Sequence, residues 1–488
     1  VDMCRSLVET CRTVLGKDEP ETLTAMRSLG ACLMRIGRYP ESEVYYRQVL
    51  AGQTARLGPD AEDTLASLAG LAQTLKYEQK YVEAEQFAQR LLDAQIRTAG
   101  EDSPRTYEAM QRLAAIWEGM KKYEQAEVYH RKALEGLSRT IGPERQQTLT
   151  VRNNLAACLQ DMGRTEEAEA VYRENLEMRR RVLGPDHPET LYALQNVGDL
   201  LREQGRLDEA EPLLREALEG RRRALGADHV ETIRSLTNLA FLLKERRKFA
   251  ESADFLGEAV TAQRKRRTPG DREFELALYN WAATLQNAGK NEEAEPIFRE
   301  VLAMHEAHSR KDEAYIAAAN NGLAKCLDAR GEFSEADVLF QKGLEIRRRL
   351  YKTPNMDLGY SLNDIGDALL RRKEYAAAEP YWREYLAICE AVLPPDEWHI
   401  AAGKSALGAC LGGAGNFAEA EALELAGYDG LRDNPNAKPG VVRESAARLV
   451  RLYETWDAAE PGKGYADKAA KWRATADEIE ERQDVETD

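Results

Sequence analysis

The sequence predicts an all-α chain built as a solenoid of about ten to eleven helix–turn–helix repeats. Three observations predict it. The first is a mark every 42 residues: Ser42, Ala84, Ala126, Ala168, Ala210, Ser252, Ala294, Ala336, Ala378 and Ala420, mostly set between acidic residues. The second is a small residue twelve positions earlier, from Gly30 and Ala72 through to Gly366 and Gly408. The third is an apolar pair around that small residue, Leu29 with Leu33 in the first copy and Leu407 with Leu411 in the tenth. A fixed period between about 20 and 50 residues marks a repeat array. Apolar residues four apart beside a small one form one stripe of an amphipathic helix.

Each repeat reads as a helix A carrying that stripe, a short turn, and a helix B carrying the 42-residue mark. The small residues let the two helices approach closely where they cross. The turn is often Gly-Arg or Gly-Lys, as at Gly163, Gly205 and Gly289. Helix B opens acidic and closes basic, for example Glu209 and Glu211 against Arg221 to Arg223, which complements the helix dipole at both ends. Pro212, Pro296 and Pro380 are expected in its first turn, where a missing N–H is tolerated. Helix B ends at a glycine in six successive copies, Gly16, Gly58, Gly100, Gly142, Gly184 and Gly226. The next helix A starts near Thr22, Thr64, Thr106, Thr148, Thr190 or Thr232.

In chain order, residues 1–16 read as the end of a repeat whose helix A is missing, which suggests a chain cut from a longer protein. Residues 17–436 hold ten repeats in one solenoid. After the sixth, the connectors change to RKRRTPGD at 264–271, HSRKDE at 308–313, YKTPNMD at 351–357 and LPPDE at 393–397, with the period unchanged. A domain boundary at 264–272 is compatible with that change but not required by it. Residues 437–488 read as an eleventh repeat followed by a charged C-terminal capping helix, the polar end a solenoid needs.

This helix–turn–helix pattern resembles the tetratricopeptide repeat. The 42-residue version with LGPDHPETL at Leu183–Leu191, and weaker copies at Leu57–Leu65 and Leu225–Ile233, is similar to the kinesin light chain family. The resemblance covers almost the whole chain. It implies a right-handed superhelical solenoid with the A helices on the concave side, and a function in protein binding.

Composition narrows the function classes. The 488 residues carry a net charge of −16, which disfavours nucleic acid and anionic membranes as general partners. No apolar run approaches the length of a membrane span, and no signal peptide opens the chain. Seven scattered cysteines without a CxxC read as reduced thiols of a cytoplasmic protein. No cofactor is expected. His305-Glu306-Ala307-His308 is one residue short of the spacing that puts two histidines on one helix face, so no metal site is expected either. Gly412-Gly413-Ala414-Gly415 lies on an A–B turn and lacks the Lys-Ser/Thr of a phosphate loop. The arginine runs 179–181, 221–223 and 347–349 share one position at the end of helix B, where the dipole accounts for them. Trp117 and Trp281 occupy stripe positions and read as packing residues. Nothing pairs a nucleophile with a base in a recognisable motif, so no enzyme is expected.

The candidate site is the second face of helix A. Four successive repeats place asparagine there, at Asn154, Asn196, Asn238 and Asn280, flanked by Asn153, Gln195, Asn321 and Asn363. A carboxamide both donates and accepts, so a ladder of them suits the backbone of an extended peptide. The alternative is that each bonds its neighbouring repeat. Arg202, Arg234 and Lys244 fall near the same face and either meet an acidic ligand or stay solvated. The function expected is a protein-interaction scaffold that holds a peptide or partner surface in its groove. The alternative is a regulatory or sensor arm of a larger signalling protein, such as a bacterial Ser/Thr kinase or NTPase, with its catalytic part elsewhere.

Overall fold

The structure, a computed structural model, describes residues 2–266, 272–307 and 312–487. Pro269-Gly270 of the first altered connector and His308 of the histidine pair lie outside the described residues. The chain divides into two units, Val1–Arg246 and Arg247–Asp488. The division falls in the A–B turn of the sixth repeat.

Unit one opens on α1 (Asp2–Val14). It continues with the pairs α2 (Pro20–Arg35) and α3 (Tyr39–Leu57), α4 (Glu62–Tyr77) and α5 (Tyr81–Ala99), and α6 (Pro104–Gly119) and α7 (Tyr123–Thr140). Then follow α8 (Gln146–Asp161) with α9 (Thr165–Leu183), α10 (Pro188–Glu203) with α11 (Leu207–Leu225), and α12 (Val230–Glu245). Unit two opens on α13 (Phe249–Arg264). Its pairs are α14 (Arg272–Asn287) with α15 (Asn291–Ala307), α16 (Glu313–Arg330) with α17 (Phe333–Leu350), α18 (Met356–Arg371) with α19 (Tyr375–Val392), and α20 (Trp398–Gly413) with α21 (Phe417–Arg432). It ends on α22 (Pro439–Ala459) and α23 (Tyr465–Thr487). Even-numbered helices are the A helices.

The 42-residue mark is the crossing point of each pair. All ten mark residues are fully buried. Ser42 Oγ donates to the carbonyl of Gly30 at 2.8 Å, so the two small registers meet directly. Large side chains close the space on either side, among them Leu29, Leu33 and Val49 in the first repeat. Burial of each such side chain contributes roughly 1.5–3 kcal/mol.

The Gly–Thr connector is a hydrogen-bonded staple. Gly58 and Gly100 end their helices at φ +89° and +88°, a region that favours glycine. The threonine six residues on then returns its hydroxyl to the glycine carbonyl. Thr64 reaches Gly58 at 2.9 Å, Thr106 reaches Gly100 at 2.6 Å and Thr232 reaches Gly226 at 2.8 Å. Thr190 is the exception: it is buried, and its hydroxyl has no partner among the described residues.

Two expectations are corrected. Pro212, Pro296 and Pro380 are the sixth residue of their helices, not first-turn residues, because helix B starts three residues before its mark. All three face solvent, where a local bend is tolerated. The arginine runs are more than dipole partners. The first arginine of each run, Arg179, Arg221 or Arg347, is buried. Arg221 donates to Gln195 and Ser235, Arg347 donates to Ser361, and Arg179 pairs with Glu189. Each lashes helix B to the A helix that follows.

Within each unit the A helices also pack on one another, α2 on α4 and α4 on α6, and likewise α14, α16, α18, α20 and α22 in succession. Among the described residues no two B helices pack comparably. Over α2 to α6 and α14 to α22 the A helices therefore occupy the tighter side.

Candidate functional site

In unit one the A helices carry polar contacts from one repeat to the next. Asn196 donates to Asn153 Oδ1 at 2.8 Å, Asn154 to Gln111 Oε1 at 3.4 Å and Asn238 to Asp199 Oδ2 at 3.5 Å. Gln195 donates to the same Asp199 oxygen at 3.4 Å and accepts from the buried Arg221. Burial holds the Asp199 carboxyl above the usual carboxylate range. Three ladder asparagines thus use their N–H donors between repeats, and among the described residues none donates to their Oδ1 atoms. Asn153 and Gln195 are buried, while Asn154, Asn196 and Asn238 are half-buried.

The flanking cations are committed locally. Arg202 pairs with Glu245 at 2.6 Å and Arg234 with Glu231 at 3.1 Å. Lys244 is half-buried. In unit two, Asn280 is half-buried and Asn363 likewise, whereas Asn321 is buried and donates to Ser361 Oγ at 2.9 Å and Asp364 at 3.3 Å. Trp117 is half-buried and donates to Glu85 at 2.6 Å, as a packing residue with a satisfied N–H does.

Unit two also holds a cavity of about 490 Å³ on its A-helix face. Tyr279, Tyr315 and Tyr360, from α14, α16 and α18, supply aromatic wall. Tyr279 and Tyr315 lie 4.9 Å apart, ring to ring, and Tyr315 OH donates to the carbonyl of Glu275 at 2.8 Å. Lys325 and Arg347 line it together with Asp312, Asp357 and Asp364, and Lys325 lies 3.3 Å from Asp364. Ala283 and Ala318 keep the space open. Sequence reading placed Asn321 here but missed the tyrosines and Arg347. Arg347 had a signal: a serine follows it by 14 residues, as Ser235 follows Arg221.

A repeating helix pair with small residues at each crossing defines an all-helical repeat protein, and comparison with known proteins places it further. Tetratricopeptide-repeat models match residues 21–265 in overlapping segments, 273–349 and 358–397. The chain belongs to the tetratricopeptide-repeat family, in its 42-residue, kinesin-light-chain-like form. No curated protein matches it. Among solved structures, the apo form of RapI is 12% identical and covers 76% of this chain and 98% of its own, with a TM-score of 0.52. The nearly identical repeats of a Podosopora anserina putative kinesin light chain are 20% identical over 42% of this chain and 98% of their own, with a TM-score of 0.38. BtubC (BKLC) from P. vanneervenii is 20% identical over 49% of this chain and 95% of its own, with a TM-score of 0.39. Among the described residues no helix is long and apolar enough to cross a membrane.

Proposed function

We propose that this chain is a non-enzymatic, cytoplasmic scaffold that binds an extended peptide segment of a partner protein along its A-helix faces. The observation that carries the reading is the cavity of about 490 Å³ over α14, α16 and α18. Its size matches sites that bury a few side chains, and its wall mixes tyrosines and alanines with Gln286, Asn321 and five charged side chains. In it, Tyr279, Tyr315 and Tyr360 take an apolar or aromatic anchor of the peptide. Lys325 donates to a backbone carbonyl beside that anchor, and Asp312, Asp357 and Asp364 accept from backbone N–H groups or a basic side chain. In unit one the Oδ1 atoms of Asn154, Asn196 and Asn238 accept backbone N–H groups, while their own N–H groups hold them in place.

The test is a displayed peptide library panned against the whole chain, with enriched peptides titrated against variants. Ala318→Trp fills the cavity, and Asn154→Ala, Asn196→Ala and Asn238→Ala together remove the ladder. Circular dichroism first confirms that each variant is folded. Loss of binding by at least tenfold in Ala318→Trp supports the cavity reading, and loss in the triple variant supports the ladder. Peptides that bind both variants as they bind the parent refute the proposal.

A further inference from the structure

One position of the repeat fills the space enclosed by helix A, helix B and the next helix A. Its occupants are Tyr46, Ala88, Tyr172, Leu214, Leu256, Phe298, Phe340 and Trp382, and the exceptions are His130 and Glu424. Two further positions border the same space, one late on helix A and one on the next helix A. The contact among them recurs along the chain. Thr74 meets Met34 Sδ at 3.6 Å, Tyr172 OH meets Gln160 Oε1 at 3.4 Å, and Gln286 Nε2 meets Cys326 Sγ at 3.2 Å.

In the third repeat those positions hold Glu118, His130 and Cys158. No other repeat joins a carboxylate, an imidazole and a thiol there. His130 and Cys158 are fully buried, and Glu118 is 24% exposed. Their donor atoms all lie within 4.8 Å of one another. His130 Nε2 is 2.8 Å from Glu118 Oε1, and its Nδ1 is 2.9 Å from Gln111 Oε1. Cys158 Sγ faces the carbonyl of Tyr123 at 3.5 Å.

We propose that Glu118, His130 and Cys158 form a divalent transition-metal site of the zinc class inside the third repeat. A ring that gives Nδ1–H to Gln111 turns its Nε2 lone pair on a carboxylate oxygen. Two facing lone pairs repel unless a positive centre stands between them. A proton serves two groups, and a divalent cation serves three, the thiolate included. Imidazole, thiolate and carboxylate together select a borderline-soft cation over magnesium or calcium. Ligand atoms around tetrahedral zinc stand roughly 3.5 Å apart, within rotamer adjustment of the spacing here. Gln111 is the group that orients the ligating ring, as carbonyls behind metal-bound histidines do. Binding expels the thiol proton and leaves one coordination position for water on the Glu118 side. The cation would join α6, α7 and α8 and so cross-link two repeats. Sequence reading expected no metal here, because the three ligands stand at 118, 130 and 158 without a compact motif.

The test uses the whole reduced chain titrated with Co²⁺, whose absorption reports a thiolate ligand, followed by Zn²⁺ displacement. The expected result is one equivalent bound, with a thiolate-to-cobalt charge-transfer band that Zn²⁺ abolishes. Cys158→Ser should lose that band with its helical dichroism intact. Gln111→Leu should weaken Co²⁺ binding about 10- to 100-fold. Should Cys158→Ser unfold, Glu118→Gln at the rim of the site carries the comparison, with at least tenfold weaker binding expected. The proposal is overturned by absence of the band in the parent chain. It is equally overturned by an undiminished band in Cys158→Ser, or by unchanged affinity in Glu118→Gln.

Discussion

Replacing Glu424 by leucine should stabilise unit two at neutral and alkaline pH and flatten its pH dependence. Glu424 lies on α21 at the interior position that carries Leu214 and Leu256 in other repeats. It is 1% exposed, and its Oε2 has no hydrogen-bond partner. Burial pushes its carboxyl up from 4.5 to about 8, against the opposing pull of Arg448 and Arg451 and with help from Glu444. The raised value means that the folded chain holds a proton the unfolded chain has released. That contribution to stability is complete below pH 4.5 and is lost as pH rises through about 8. Each pH unit in between is worth about 1.4 kcal/mol, so roughly 3–4 kcal/mol disappears between pH 5 and pH 8. Leucine fits the space, because Gly198 faces Leu214 as Gly408 faces Glu424. The assay is urea unfolding of the parent and Glu424→Leu chains by circular dichroism at pH 5, 6, 7 and 8. The difference between the two chains removes every other titrating group. It should grow by about 3–4 kcal/mol from pH 5 to pH 8. A difference constant to within about 0.5 kcal/mol would refute the reasoning and leave Glu424 ionised in both states.

Three further outcomes are expected. Thr106→Val removes the hydroxyl that staples Gly100 and should cost about 1 kcal/mol, whereas Thr190→Val, at the staple without a bond, should be neutral or stabilising. Paired thermal melts decide between them, and equal losses would show that the staple contributes nothing. Gly427→Ala sets a methyl 2.7 Å from Ser405 N and 2.8 Å from the Ala401 carbonyl, both backbone, and should cost about 1–3 kcal/mol. Gly440→Ala, with nothing within 4 Å, should leave the melt unchanged or raise it. Arg221→Leu frees Gln195 and Ser235 and should weaken peptide binding in unit one without loss of helicity; titration of an enriched peptide checks this.

The repeat was legible because its signal is steric. Ser42 and nine equivalents must be small for two helices to cross, and few residue types satisfy that, so the period survives in one sequence. The staple was half legible: Thr106 marked a helix start, but its return to Gly100 is a three-dimensional fact. The arginine runs misled because a charged residue at a helix end has an ordinary reading, and only the fold shows Arg221 turned inward. The asparagine register was found from the sequence, while the choice between repeat contact and ligand contact depends on amide orientation, which spacing does not encode. The cavity tyrosines were missed because Tyr279, Tyr315 and Tyr360 occupy three different repeat positions and meet only when α14, α16 and α18 stack.

The staples and the B-helix ion pairs share a property. Arg47–Glu83 at 2.5 Å, Arg131–Glu167 at 3.4 Å and Arg173–Glu209 at 3.8 Å each span 36 residues and join one repeat to the next. Such joints are interchangeable parts. Excising 42 residues between equivalent points of unit one would bring together faces that already know how to mate. Length can therefore change by whole repeats with each new junction reusing the contacts of an old one. The number of repeats is thus separable from the side chains that any one repeat displays.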